Sequence, residues 1–127
     1  MRGSSTLPKS ERIQRGWQFR QAYEHGRKFG GKLLVLYVVD HSPDAGPSGV
    51  RATRAIGVVT SRKVGDAVRR NRARRLLREA YRLNKQKLKN NLQIVMIARN
   101  AIGGKKRQEV EAELLRLFRA AGILNET

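Results

Sequence analysis

Cysteine is absent from this 127-residue sequence, tryptophan occurs once and proline three times. Without cysteine the chain forms no disulfide and offers no thiolate ligand to a metal. It also lacks an apolar run approaching the roughly eighteen residues that a membrane-spanning helix needs, and its N-terminus lacks the apolar core of a signal peptide. We therefore expect a cytoplasmic protein that does not associate with a membrane.

Acidic residues and histidines are also scarce. The chain has ten Asp and Glu and two His, whereas a protein nuclease needs a general base, a general acid and usually a metal cage. Glu109, Glu111 and Glu113 lie two residues apart on a predicted helix, so they do not share one face. The sequence has no P-loop and no zinc-ligand spacing. We expect no catalytic residue and no metal site.

Lysine and arginine are abundant. Twenty-eight of them give a formal net charge of +18 and a pI near 11.6. Repulsion among these positive charges destabilises the compact state, and the excess favours a polyanionic partner. A chain of this length suits one domain with one core, so we expect a single domain over 1–127.

Periodicity and turn residues predict six regular elements. They are helices at 11–25, 67–89 and 107–121 and strands at 32–40, 54–60 and 93–99, with room for a further short strand. Gly65 provides a sharp turn before the second helix, and Asp66 is its predicted N-cap. Helices and sheet sharing one core give an α+β two-layer fold.

The remaining segments lack periodicity. Residues 1–10 are expected to be a flexible arm, and 41–53, rich in Pro, Gly and Ser, a long loop between strands. The 32–40 run shows little alternation and is expected to be largely buried. We expect it to pair antiparallel with 54–60, in which Gly57 suggests a bend.

The second helix carries an unusual density of arginine, six of the ten residues from Arg69 to Arg78. On a helical wheel its apolar side comprises Ala73, Leu76, Leu77, Ala80 and Leu83. Its polar side comprises Asn71, Arg74, Arg75, Arg78, Arg82 and Lys85. Arginines three and four apart repel each other, and from Ser61 to Gln108 there are sixteen Lys and Arg but only two acids. Because guanidinium groups fork onto phosphates, this stripe favours nucleic-acid binding over a merely solvated face.

The run from Ser61 to Glu79 resembles the signature of the bacterial ribonuclease P protein component. The motif has a Gly, an Ala-Val pair, an Arg-Asn-Arg core, a basic pair and a final Arg-acid pair. The resemblance extends from about Leu7 to about Leu124. It implies a small four-stranded sheet with three helices and a left-handed β-α-β crossover, against the usual right-handed rule.

The resemblance also implies a function. The chain would be the non-catalytic protein subunit of an endoribonuclease that removes the 5′ leader from precursor tRNA, in which an RNA subunit with bound Mg²⁺ is catalytic. The implied partners are this RNA subunit and precursor tRNA, not duplex DNA, and the protein alone is expected to be monomeric. The RNA-subunit face carried onto this sequence is Arg62, Lys63, Arg70, Asn71, Arg72, Arg74, Arg75 and Arg78.

Three aromatic residues are candidates for binding the leader. Phe19 and Tyr23 share a helical face, and Tyr37 lies in the first long strand; sequence alone favours core packing for such a pair and leaves Tyr37 open. The resemblance implies instead that all three line a cleft for single-stranded RNA, where stacking is worth about 1–3 kcal/mol per base. Trp17 matches no position of the family pattern.

Two other functions remain open at this stage. A ribosomal-protein-like structural RNA-binding protein explains the charge equally well. A helix-turn-helix DNA reader is disfavoured, because the basic helix follows a strand and carries more phosphate-type arginines than base-reading amides.

Overall fold

The computed structural model describes residues 16–40, 55–89 and 92–125. The helices are α1 (Gly16–His25), α2 (Ala67–Asn84) and α3 (Arg107–Ala121), and the strands are β1 (Arg27–Gly30), β2 (Leu34–Asp40), β3 (Ala55–Thr60) and β4 (Leu92–Ala98). Short 3₁₀ turns cover Arg62–Val64, Lys85–Lys87 and Asn100–Ile102. The predicted arm at 1–10, the predicted loop at 41–53 and the burial of Trp17 lie outside what is described.

The four strands form one mixed sheet in the order β1-β2-β4-β3. β4 pairs antiparallel with β2 and parallel with β3, so the predicted antiparallel pairing of the 32–40 and 54–60 strands is wrong. Because many residues separate these two strands in the sequence, they need not be neighbours in the sheet. The most buried strand, β4, lies between them. The pairing of β3 with β4 runs unbroken through Gly57, so no bulge interrupts β3 there. β3, α2 and β4 form the expected β-α-β crossover.

The main core lies between the sheet and the pair α2 and α3. Ala73, Leu77 and Ala80 are buried there as the helical wheel predicts, and Leu76 packs against them. Leu83 is only half-buried, and Tyr81, fully buried, takes its place in the core. On α3, Val110, Leu114, Leu117 and Ala121 follow one another at spacings of three and four residues, and all are buried together with Phe118.

Local signals fix the start of α2. Gly65 has φ +140°, a backbone conformation that side chains strain, and a Cβ there would lie 2.7 Å from Cδ of Arg69. The carboxylate of Asp66 accepts a hydrogen bond from the backbone N–H of Arg69 at 3.0 Å, which confirms the predicted N-cap. The α-helix ends at Asn84 and continues only as the 3₁₀ turn, so it is shorter than predicted.

The two faces of the sheet have different surroundings. Burial along β2 alternates between buried and half-buried residues and ends at the exposed Asp40, so only one side of the strand is fully buried, whereas the sequence predicted a largely buried run with little alternation. Leu34, Leu36 and Val38 face the main core, whereas the alternate residues face α1. α1 covers that second face only in part, burying Ala22 against Val95 and leaving Phe19, Tyr37 and Ile97 half-buried. Among the described residues, no helix is both long and apolar enough to cross a bilayer.

Candidate nucleic-acid interface

The partly covered surface beside α1, which we term the cleft, is aromatic and aliphatic. Phe19 of α1 and Tyr37 of β2 are half-buried and belong to the same apolar cluster. Tyr23, one helical turn after Phe19, is 41% exposed, and its ring meets that of Tyr37 edge to face with centroids 5.1 Å apart. The three predicted leader residues therefore come together, and they are neither fully buried nor fully exposed. Rings held in this way can stack on unpaired bases.

The pairing of the strands places the cleft floor in rows across the sheet. One row contains Lys28, Tyr37, Val95 and Gly57, and the next contains Gly30, Val35, Ile97 and Val59. Lys28 lies at the edge of the first row with Nζ 6.0 Å from the Tyr37 ring centroid. A cation beside stacked rings is the combination that single-strand-binding proteins use to hold backbone and bases together.

Tyr23 retains its proton across the physiological range. Burial raises the pKa of its hydroxyl above the usual 10.0, and the neighbouring Tyr37 raises this pKa further. A neutral phenol does not repel a phosphate and still donates a hydrogen bond. A negatively charged strand in the cleft is therefore not repelled by a phenolate at Tyr23.

A basic pocket continues the cleft at the end of β4. Ile97 lines both surfaces, and the pocket is further lined by Lys32, Lys63 and Arg99 together with Ser61 and Asn100. The three cationic side chains belong to exposed residues and come from three separate parts of the chain. Sequence analysis assigned Lys63 to the helix face and missed Lys32 and Arg99. In the sequence these two residues are marked only by their positions at strand ends. Such positions predict a binding site only when the order of the strands in the sheet is known.

A shallow groove runs along the outer side of α2. It is lined by Val68, Asn71, Arg72, Arg75, Leu76 and Glu79. Val68 is 75% exposed, and Arg72 and Arg75 are exposed beside it. Glu79 pairs with Arg82 on the next turn, so one of the few acids near the stripe is already neutralised. The groove thus combines guanidinium groups with a small apolar surface.

Several motif side chains are held by oxygen atoms of the protein itself. Arg70 donates to the carbonyl of Gly65 at 3.0 Å, and Arg72 donates to the carbonyl of Lys105 at 3.1 Å. Arg74 donates to the hydroxyl of Thr60 at 3.0 Å and also to the side-chain oxygen of Asn71. These bonds fix the orientation of three guanidinium groups on a single helix before any ligand arrives.

The predicted helix-face residues divide by position. Arg62 and Lys63 are exposed on the 3₁₀ turn between β3 and α2. On α2 itself, Asn71, Arg72 and Arg75 are exposed, whereas Arg70, Arg74 and Arg78 are half-buried. The two ends of this set differ, because the turn reaches the basic pocket through Lys63 while Arg75 lies in the outer groove.

Within the described ranges, the acidic side chains do not form a metal cage. Among the described residues, no group of three or more His, Asp or Glu could hold a metal ion. A divalent ion needs several oxygen ligands converging on one point, and isolated carboxylates do not provide them. The described donor set therefore does not fit a protein-bound Mg²⁺ site.

Comparisons with known proteins agree on one family. A family model described as Ribonuclease P matches residues 7–122. The ribonuclease P protein component of Clostridium novyi is 35% identical over 119 residues, 94% of this chain and 100% of that relative. Its counterpart from Clostridium acetobutylicum is 38% identical over 116 residues, 91% of this chain and 92% of that relative.

Solved structures show the same fold. The Staphylococcus aureus RNase P protein superposes with a TM-score of 0.76 at 23% identity, covering 92% of this chain and 100% of that one. The RNase P protein from Thermotoga maritima gives a TM-score of 0.71 at 26% identity, covering 86% of this chain and 96% of that one. The α+β architecture with a four-stranded mixed sheet is therefore shared with these proteins.

Proposed function

Because the chain belongs to the ribonuclease P protein family, we propose that each of the two surfaces described above binds a different RNA. The protein is a subunit of the ribonucleoprotein endoribonuclease that matures the 5′ end of tRNA, and its partners are the RNA subunit and the tRNA substrate. The cleft would bind the 5′ leader, and the outer side of α2 with its preceding turn would bind the RNA subunit.

The aromatic cluster carries the first half of this proposal. Phe19, Tyr23 and Tyr37 offer ring surface that is partly open, and Tyr23 and Tyr37 support each other at 5.1 Å. A leader strand would stack its bases here and extend along the floor past Ile97 into the basic pocket, where its phosphates meet Lys32, Lys63 and Arg99. A mature tRNA has no leader and would gain nothing from these contacts, so the cleft would distinguish precursor from product.

The arginine helix carries the second half. Its exposed and half-buried cations would neutralise phosphates of the RNA subunit, with counterion release as the main source of affinity. The residues proposed for this contact are Arg62, Lys63, Arg70, Asn71, Arg72, Arg74, Arg75 and Arg78, of which Lys63 also lines the basic pocket. Asn71 would act partly through Arg74, since its side-chain oxygen already accepts from that guanidinium.

Catalysis in this family is attributed to RNA, and we place the metal there as well. Because the described protein donors do not fit an Mg²⁺ cage, we propose that Mg²⁺ is bound by the RNA subunit. The contribution of the protein is positive potential, which makes phosphates at a shared interface easier to bring together. The continuous core of the sheet, α2 and α3 supports a single RNA-binding domain. We propose that it acts in the cytoplasm and is monomeric until it binds RNA.

Cleavage at low Mg²⁺ tests the proposal. Precursor tRNA would be incubated with a bacterial ribonuclease P RNA in the presence and in the absence of this protein. Cleavage at the mature 5′ end should be restored only when the protein is present. A folded protein that gives no stimulation would contradict the proposed surfaces. Binding of precursor and mature tRNA with equal affinity would contradict the role of the cleft specifically.

A further inference from the structure

Glu113 is a buried acid of α3 whose role the function above does not use. The residue is 8% exposed. Its Oε2 accepts from the backbone N–H groups of Leu33 at 2.7 Å and Leu34 at 3.1 Å, and its Oε1 accepts from the N–H of Lys32 at 3.2 Å. Arg116, one turn later, donates to Oε1 at 3.3 Å. Three backbone donors and a guanidinium satisfy a carboxylate that would otherwise be costly to bury.

The turn that Glu113 holds is packed closely against it. A Cβ added to Gly31 would lie 2.4 Å from Oε2 of Glu113, so only glycine allows the carboxylate this near. The same turn is bonded to the end of β4, because Arg99 donates from Nη1 to the carbonyl of Gly31 at 3.0 Å and from its backbone N–H to the carbonyl of Leu33 at 2.8 Å. Glu113 therefore fixes the segment that carries Lys32 and orients Arg99.

We propose that Glu113 is a positioning residue for the basic pocket, acting through the 31–34 turn to hold Lys32 and Arg99 where a leader phosphate binds. The inference rests on the proposed function of the cleft. Glu113 itself faces the backbone donors of the 31–34 turn and does not contact RNA. A phosphate site made from two separate chain segments keeps its geometry only if both segments are fixed, and the carboxylate joins them to the helix layer.

The sign of the charge effect separates positioning from simple electrostatics. Glu113→Gln raises the net charge by one, so Coulomb attraction alone predicts equal or tighter binding of any RNA. Loss of positioning predicts weaker binding of leader-bearing RNA in spite of the added charge. Glu109→Gln is the matched control, since it makes the same charge change on an exposed residue of the same helix and keeps a side chain able to accept at the N-cap.

The experiment measures binding of precursor and mature tRNA by the holoenzyme reconstituted with each variant. For Glu113→Gln we expect precursor to bind about fivefold more weakly, with mature tRNA and the RNA subunit bound as before. Gly31→Ala perturbs the same contact without removing the carboxylate, and it should produce the same selective loss. Thermal unfolding confirms that each variant is folded at the assay temperature.

A double-mutant cycle then asks whether Glu113 acts through the pocket. In a Lys32→Ala and Arg99→Ala background, the effect of Glu113→Gln on precursor binding should largely disappear, because the groups that it positions are gone. An undiminished effect in that background would overturn the inference, as would equal losses for precursor and mature tRNA. Suppose that Tyr23→Ala weakens binding of precursor but not of mature tRNA, whereas Glu113→Gln and Gly31→Ala behave as Glu109→Gln does. The cleft proposal then stands and only this inference fails.

Discussion

The guanidinium groups of α2 differ in how far they are fixed before RNA binds. Arg70, Arg72 and Arg74 each donate to an oxygen of the protein, whereas Arg75 is exposed in the outer groove. A side chain already held in place loses less conformational entropy on binding a phosphate, and arginine has donors left for a second partner. We therefore expect Arg70, Arg72 and Arg74 to set the register of the RNA and Arg75 to contribute mainly charge.

Replacing one exposed arginine should change the salt dependence of binding by a defined amount. Arg75→Ala removes one phosphate contact, so the slope of log K against log salt for the RNA subunit should fall by about one. Filter binding over a range of KCl concentrations measures this slope. Lys87→Ala, an exposed cation on the 3₁₀ turn beyond α2, is the control with the same charge change. An identical slope change for both variants would indicate general attraction and not a specific contact.

The cleft makes a prediction about one ring. Tyr23→Ala removes a partly exposed ring that packs against Tyr37, so leader-bearing precursor should bind less tightly by about 1–3 kcal/mol while mature tRNA is unaffected. Tyr23→Phe keeps the ring and should retain most of the affinity. Competition binding of the two RNAs to the holoenzyme gives both values. A matching loss for mature tRNA would assign Tyr23 a structural role.

At the scale of whole elements, local sequence signals were sufficient wherever the determining contacts are local. The bounds of α3, the turn at Gly65 and the N-cap at Asp66 depend on neighbours within a few residues, and the structure confirms them. The place of β3 depends on which strand lies beside it, and nothing in 54–60 encodes that choice. β4, an apolar strand buried on both faces, takes a central position in the sheet, and β3 lies beside it.

The same distinction applies to the candidate site. The arginine stripe and the aromatic spacing are periodic, so they could be predicted from the sequence. Lys32 and Arg99 acquire a role only from strand order, and Glu113 from a contact with a turn eighty residues away along the chain. Tyr81 was not among the predicted core residues of α2, although its ring fills the core.

The N-cap of α2 provides a test at the element scale. Asp66→Ala leaves the N–H of Arg69 without its partner and should lower the free energy of unfolding by about 1 kcal/mol. Asp66→Asn retains an accepting oxygen and should cost much less. Chemical denaturation of the free protein measures both values. Equal losses would mean that the charge of Asp66 beside the arginines matters more than its hydrogen bond.

On the scale of the whole molecule, the two proposed RNA surfaces share one small scaffold. The sheet presents the cleft on one face and packs α2 against the other, so the leader and the RNA subunit would bind a common rigid core. Each surface is cationic, and the chain as a whole carries +18. Favourable ion pairs are present, such as Arg27 with Asp40 at 2.8 Å, but exposed pairs of this kind contribute only about 0–1 kcal/mol each.

Salt should therefore stabilise the free protein. With twenty-eight basic and ten acidic residues, like-charge pairs outnumber opposite ones, and screening reduces the repulsion more than the attraction. Between about 0.01 M and about 1 M NaCl the Debye length falls from roughly 30 Å to 3 Å, and we expect the melting temperature to rise throughout this interval. Sulfate at equal ionic strength should raise the melting temperature further, because an anion that binds the folded cationic surface adds linkage stabilisation to screening. A melting temperature that falls with NaCl would mean that ion pairs outweigh self-repulsion, and the need for a polyanion would then lie in recognition alone and not in stability.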